Sequence, residues 1–140
     1  MNGYSISTES SKMNVDVIYN YLSKESYWSK DIPKEVVQRA IENSLCFGVF
    51  FNEEQIGFAR IITDYATYGY LADVFIIEAH RGKGLSKLLM QVILDDPRLQ
   101  GFRRILLATK DAHDLYKKFG FTELTKPDRW MEKWNPDVYK

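Results

Sequence analysis

Residues 73–89, Asp73-Val74-Phe75-Ile76-Ile77-Glu78-Ala79-His80-Arg81-Gly82-Lys83-Gly84-Leu85-Ser86-Lys87-Leu88-Leu89, decide the fold. Val74 to Ile77 is an apolar run of strand length, and Arg81-Gly82-Lys83-Gly84 is a basic glycine turn. Beyond it Leu85, Leu88, Leu89, Val92 and Ile93 recur at three- and four-residue spacing, which predicts an amphipathic helix with one stripe toward a core. Strand, turn and helix in this order aim free backbone N–H groups and the positive helix end at one point. That is an anion site, most often used for phosphate. A dinucleotide fingerprint requires a glycine three residues beyond Gly84, where Lys87 stands. A P-loop requires four residues between its glycines and a Gly-Lys-Ser/Thr ending, and this turn has neither.

Working outward, Tyr4 to Ser7 alternates as a short strand, and Val15, Ile18, Tyr19 and Leu22 mark a first helix. The polar connection from Ser23 to Asp31 carries Tyr27 and Trp28. A second helix starts near Pro33, a residue favoured at a first helical position, and buries Val36, Val37, Ala40 and Ile41. Leu45 to Phe51 and Gln55 to about Asp64 form a hairpin around Asn52-Glu53-Glu54, and Tyr68 to Ile77 is the next strand. After the helix from Leu85 to about Leu94 come a short buried strand, Arg103 to Ala108, and a short helix from about Asp111 to Phe119, ended by Gly120. Phe121 to Leu124 and Arg129 to Trp134 are expected to make a last antiparallel pair around Lys126-Pro127-Asp128. The pattern predicts a mixed α/β (α+β) fold in one domain, residues 1–140, with about seven strands in a mostly antiparallel sheet and four helices.

With 140 residues, 45% apolar and 27% charged, the composition is that of an ordinary soluble globular protein. The 19 basic and 19 acidic side chains cancel, which disfavours a nucleic-acid partner. No apolar run reaches membrane-span length and Met1-Asn2-Gly3-Tyr4 does not begin a signal peptide, so a cytoplasmic protein without a membrane partner is expected. The single cysteine, Cys46, lies in an apolar run and reads as a buried thiol suited to a reducing compartment. One cysteine and two histidines argue against a multi-ligand metal centre. His80 and His113, which flank the two motifs described next, are expected at the surface.

The strand with Arg81-Gly82-Lys83-Gly84-Leu85, followed further on by Ala112-His113-Asp114-Leu115-Tyr116-Lys117-Lys118-Phe119-Gly120-Phe121, resembles the GNAT superfamily of acetyl-CoA-dependent N-acetyltransferases. The family's turn pattern is Gln/Arg-x-x-Gly-x-Gly/Ala, and this chain carries Ser86 where glycine or alanine is usual. The second family element, Asn-x-x-Ala-x-x-Leu-Tyr-x-x-x-Gly-Phe, is met by Ala112, Leu115, Tyr116, Gly120 and Phe121, with Thr109 in place of the asparagine. The order of elements is similar over essentially the whole chain. The resemblance implies a GNAT-like sheet with strands 4 and 5 splayed, acetyl-CoA as acyl donor, and a small-molecule or peptide amine as acceptor. It places pyrophosphate on the amides of Arg81, Gly82, Lys83, Gly84, Leu85 and Ser86. It places the pantetheine arm on the backbone of Phe75, Ile76 and Ile77, with Thr109 at the position that often touches that arm.

Direct attack of an amine on a thioester needs a proton or hydrogen bond for the leaving thiolate. Tyr116 is the residue expected to supply it. Full transfer from a phenol of pKa near ~10 to a thiolate of pKa near ~8.5 is uphill by roughly 2 kcal/mol, which a hydrogen bond alone avoids in part. Ala112, Leu115, Tyr116 and Phe119 share one helical stripe, so Tyr116 as core packing stays open. An alkylamine of pKa about 10.4 is mostly protonated at neutral pH, so a base is also needed. Asp73 is the first candidate and Asp64 the second; either could instead hold a water, orient a cationic acceptor or cap a strand. Trp28, Tyr65 and Tyr68, with Asp64, are the candidate acceptor-binding residues, since aromatic faces suit a cationic amine. Trp130, Met131 and Trp134 read as core or as a dimer edge, leaving monomer and homodimer both open. A non-catalytic acyl-CoA-binding module and a protein- or peptide-modifying acetyltransferase are the rival functions.

Overall fold

A computed structural model describes residues 2–140. The elements follow in the order β1 (Tyr4–Ser7), α1 (Val15–Asn20), α2 (Lys34–Glu42), β2 (Leu45–Phe51), β3 (Glu54–Thr63), β4 (Tyr68–Ile76), α3 (Leu85–Asp95), β5 (Arg104–Leu107) and α4 (His113–Lys117). The five strands form one sheet in sequence order, antiparallel from β1 to β4, with β5 parallel to β4. The mixed α/β architecture with four α-helices agrees with the sequence; the strand number does not. Phe121–Leu124 and Arg129–Trp134 pair with nothing among the described residues, so the sheet has five strands rather than seven. Their alternation is strand-like, but a strand exists only when a second edge accepts its hydrogen bonds.

Helices cover both faces of the sheet, which is why Leu45-Cys46-Phe47-Gly48-Val49-Phe50 is buried without a break. Leu45, Phe47 and Val49 point to the α3 face, where they meet Ile56, Ile61, Leu71 and the α3 residues Leu85, Leu89, Met90 and Ile93. The α3 stripe is rotated slightly from the expected one, with Met90 buried and Leu88 38% exposed. On the opposite face Cys46, Phe58 and Phe75 pack against Ile18, Tyr21, Leu22, Ile32 and Val37 from the first two helices and the chain between them.

Asn14 caps α1 by accepting from the Val17 amide (3.2 Å). The helix then widens into one π turn over Tyr21–Glu25, closed by the Ser26 amide donating to the Tyr21 carbonyl. π turns of this kind are frequent at functional sites. Here Tyr21 stacks on Phe75 (centroids 4.0 Å apart, planes 7° apart), and the chain leaving the turn carries Tyr27 and Trp28 to the open end of β4.

Candidate functional site

The pairing of β4 with β5 begins at Tyr68↔Arg104 and ends at Leu71↔Leu107. Past that point β4 continues for five residues with no partner on its β5 side. The cause lies in β4 itself. Its register against β3 steps from Ala72↔Arg60 to Phe75↔Phe58, so Asp73 and Val74 together oppose one residue, and Asp73 has a φ of 56°. Such a bulge disrupts the ladder locally, a device common beside active sites. The diverging strands enclose a cleft of about 610 Å³ between Ala72–Val74 on one wall and Ala108–Asp111 on the other.

Asp73 sits at the centre of a fixed network. One carboxylate oxygen accepts from Arg60 Nε (2.6 Å) and the other from Trp28 Nε1 (2.7 Å). Arg60 Nη1 donates in turn to Ser44 Oγ (3.0 Å). The Asp73 side chain is 9% exposed and that of Arg60 17%, so this is a largely desolvated ion pair. Both oxygens already accept from donors, an arrangement better suited to holding neighbours in place than to the free base expected from the sequence. Tyr70 also lines the cleft, and burial, followed by the Asp73 charge, raises its phenol pKa.

Tyr116 reaches the cleft from α4 and is 8% exposed. Its hydroxyl has no hydrogen-bond partner among the described residues, yet no fully buried side-chain N or O there lacks one. The hydroxyl therefore keeps some solvent access, and Tyr116 lines the cleft. Burial, then the nearby Tyr27, pushes the phenol pKa up, which keeps it a proton donor. Thr109 Oγ1 accepts from the Ala112 amide (3.1 Å), fixing the approach to α4 where the family pattern has asparagine. Tyr27 Oη accepts from the Lys110 amide (2.9 Å), with the Lys110 ammonium 5.5 Å from the Tyr27 ring centre.

At the far end of the open edge lies the glycine turn. Gly82 and Gly84 have φ of 78° and 79°, the left-handed region that glycine adopts without Cβ strain. The amides from Gly82 to Lys87 donate to no acceptor among the described residues, while α3 runs eleven residues behind them. They face a hollow of about 210 Å³ that also takes in Ile76, Ser86 and Leu115. A Cβ built on Gly82 would meet nothing within 4 Å, so the space over the turn is open to a ligand.

Several expected contacts are corrected by this geometry. The Arg81 amide donates to the Glu78 carbonyl, its Nε to the Ile76 carbonyl (2.8 Å) and its Nη2 to Tyr21 Oη (2.9 Å), so Arg81 staples the turn to β4. Lys83 and Lys87 are exposed, and Lys87 lines the hollow. The Ile77 amide is taken by the Ile56 carbonyl (2.8 Å) and the Arg81 side chain uses the Ile76 carbonyl, so Ile77 lies beyond the unpaired edge, which runs from Ala72 to Ile76. Asp64, Tyr65 and Tyr68 stand at the opposite end of β4 and do not line the cleft. The Asp64 carboxylate accepts from the Thr67 hydroxyl and from the amides of Thr67, Ala66 and Tyr68, which hold its pKa well below the carboxylate range. It is spent on folding the β3–β4 turn. His80 is half-buried, sharing a hydrogen bond of 2.7 Å with Tyr4 Oη, whereas His113 is exposed.

Arg60 and the Tyr27–Lys110 contact escaped the sequence reading. Arg60 carried a signal, since a lone charge inside Phe58-Ala59-Arg60-Ile61-Ile62 demands a buried partner. Cys46 lies beneath the Arg60–Asp73 pair, and burial pushes its thiol up to about 11, which keeps it protonated and inert. No cluster of three His, Cys, Asp or Glu suited to a metal occurs among the described residues, and no helix there is long and apolar enough to cross a membrane.

A sheet opened between two parallel strands, with a row of free amides at one end and a buried tyrosine at the other, defines an α/β protein of the GNAT fold. The acetyltransferase (GNAT) family model matches residues 15–121, and the chain belongs to that family. A Gibberella zeae protein named as an acetyltransferase, FG08082, is 32% identical over 82% of this chain and 76% of its own length. The crystal structure of a GNAT-family protein (xcc2953) from Xanthomonas campestris pv. campestris is 48% identical, with a TM-score of 0.96 over 99% of this chain and 98% of that one. A Clostridium acetobutylicum protein solved with acetyl-CoA shares the fold at 17% identity, with a TM-score of 0.67 over 93% and 94% of the two chains.

Proposed function

We propose that this chain transfers the acetyl group of acetyl-CoA directly to a primary amine. The observation that carries the reading is the path along the unpaired edge of β4, from the free amides of Gly82–Lys87 to the hydroxyl of Tyr116. Coenzyme A has the parts this path asks for: a pyrophosphate for the amides and helix end, and a peptide-like arm for the unpaired strand. In this reading Gly82, Lys83, Gly84, Leu85 and Ser86 hold the pyrophosphate, the Ala72–Ile76 edge pairs with the pantetheine amides, and Thr109 borders the arm. Arg81 acts through the turn's shape.

Tyr116 donates a hydrogen bond to the sulfur as the C–S bond breaks, and the elevated phenol pKa favours donation without loss of the proton. Asp73 is a positioning residue that sets the Trp28 ring and the Arg60 guanidinium around the acceptor. The acceptor's proton leaves to solvent through the open side of the cleft. Cys46, protonated and behind the strand, supports attack without a covalent enzyme intermediate.

Tyr116→Phe tests the assignment, with free-thiol release from acetyl-CoA measured over a panel of small amines and amine-bearing peptides. The reading expects a fall in kcat with KM for acetyl-CoA unchanged. Unchanged turnover removes Tyr116 from the chemistry. Acetyl-CoA binding with no acceptor-dependent thiol from any member of the panel favours a binding module instead.

A further inference from the structure

Tyr27 and Trp28 are neighbours in sequence but meet different walls of the cleft. Trp28 Nε1 donates to Asp73 on β4, while Tyr27 Oη accepts from the Lys110 amide just past β5. The second contact fixes the backbone of Lys110 and leaves its four-carbon stem free to swing. Lys110 is the one lysine lining the β4–β5 cleft among the described residues. Its ammonium stands 5.5 Å from the centre of the Tyr27 ring, inside the range where an aromatic face attracts a cation. It takes part in none of the ion pairs among the described residues. Tyr27 in turn stands near Tyr116: after burial, it is Tyr27 that raises the Tyr116 phenol pKa. A primary amine is therefore held at the cleft, over the ring that neighbours the hydroxyl assigned to the leaving sulfur.

We propose that Lys110 is itself an acceptor, acetylated at Nζ by acetyl-CoA bound in the same chain. The inference rests on the acetyl-transfer reading and adds a modification site to it. The ammonium first releases one proton to solvent, because without a lone pair it cannot attack. The neutral Nζ then attacks the acetyl carbonyl carbon, the N–C bond forms and the C–S bond breaks. A second proton leaves the nitrogen and ends on the coenzyme A sulfur, so the products are an acetamide and a free thiol. Lys87 lines the anion hollow and Lys117 a hollow beside β5, so neither amine shares the place of Lys110. Acetylation discharges Lys110 and ends its attraction to the Tyr27 ring, which gives the next acceptor a neutral wall to meet.

The purified chain, checked as unmodified at Lys110, is incubated with sub-saturating acetyl-CoA and no added amine, then digested and read by mass spectrometry. Lys110 should gain one acetyl group at least about 10-fold faster than Lys87 or Lys117, since only its amine is held beside the donor. The rate per chain should not change on dilution of the protein, and should fall by at least about 10-fold in Gly84→Glu, where the donor is repelled. Acetyl spread evenly over the exposed lysines, a rate that rises with protein concentration, or no gain at Lys110 overturns the proposal. Free-thiol release over the amine panel, run alongside, separates the two readings. Turnover of the panel without acetyl on Lys110 overturns self-acetylation alone, and the absence of both overturns it together with the transfer reading.

Discussion

The two halves of β4 behave in opposite ways. From Tyr68 to Leu71 the strand is zipped to β5, its connection to β3 tied by the Asp64 turn, with Gly69 and Leu71 buried. From Ala72 to Ile76 it has no neighbour on that side and borders a cleft. A two-residue bulge at Asp73 and Val74 divides them, with the Arg60–Asp73 pair set into it. The lower half is closed by hydrogen bonds to β5, and the upper half leaves an unpaired edge for the proposed acyl donor. Acidic groups differ accordingly: Asp64 serves the turn, and Asp73 serves the opening.

The largest expected effect is at the anion end of the open half. Gly84→Glu should weaken acetyl-CoA binding by at least about 100-fold, because placing like charge against phosphate costs several kcal/mol. Since Gly84 has a φ of 79°, Gly84→Ala is the needed companion, carrying the backbone strain without the charge. Calorimetric titration separates them, and equal losses in both variants would remove the charge argument. At the other end, Tyr116→Phe should lower kcat by about 100-fold while leaving acetyl-CoA binding within a few-fold.

The next effect falls on the bulge. Asp73→Asn keeps a side chain of the same shape for Trp28 but leaves Arg60 without its counter-charge in a mostly buried place. Breaking such a pair costs about 3 kcal/mol, to be read from urea unfolding. A loss below about 0.5 kcal/mol is the scale of an ordinary surface change and would show that the network does not hold the bulge. The smallest effect belongs to the shut half. Asp64 has its pKa depressed in the folded protein, so its stabilising contribution is present above the ordinary carboxylate pKa near ~3.9 and is lost as the pH falls toward the lower folded value. Asp64→Asn should therefore lower the melting temperature slightly at neutral pH and flatten its decline on the acid side, with no change in acetyl-CoA binding. Weakened binding would mean that the two halves are coupled.

The open half was the more legible in sequence, because its signals are local. Gly82 and Gly84 announce the turn, and the Leu85–Ile93 stripe announces the helix behind it. What brings the cleft together is not local. Arg60, Asp73 and Trp28 are separated along the chain and meet only because β3, β4 and the π turn converge. The Asp64–Tyr65–Tyr68 group looked equally suitable for an acceptor, being acidic and aromatic. No sequence pattern says that the carboxylate is saturated by three amides and a hydroxyl. The strand count failed for a related reason: alternation in 121–134 reports a preference for an edge, and the edge has to come from elsewhere.

The gap above Leu71↔Leu107 is proposed as the acyl-donor site. A crystal structure of the chain with acetyl-CoA tests it most directly. Pyrophosphate is expected on the amides of Gly82–Lys87, pantetheine amides paired with the Ala72–Ile76 edge, and the thioester sulfur within hydrogen-bond reach of the Tyr116 hydroxyl. Acetyl-CoA bound elsewhere, or bound with β4 and β5 zipped past Leu71 and Tyr116 turned from the sulfur, would contradict it.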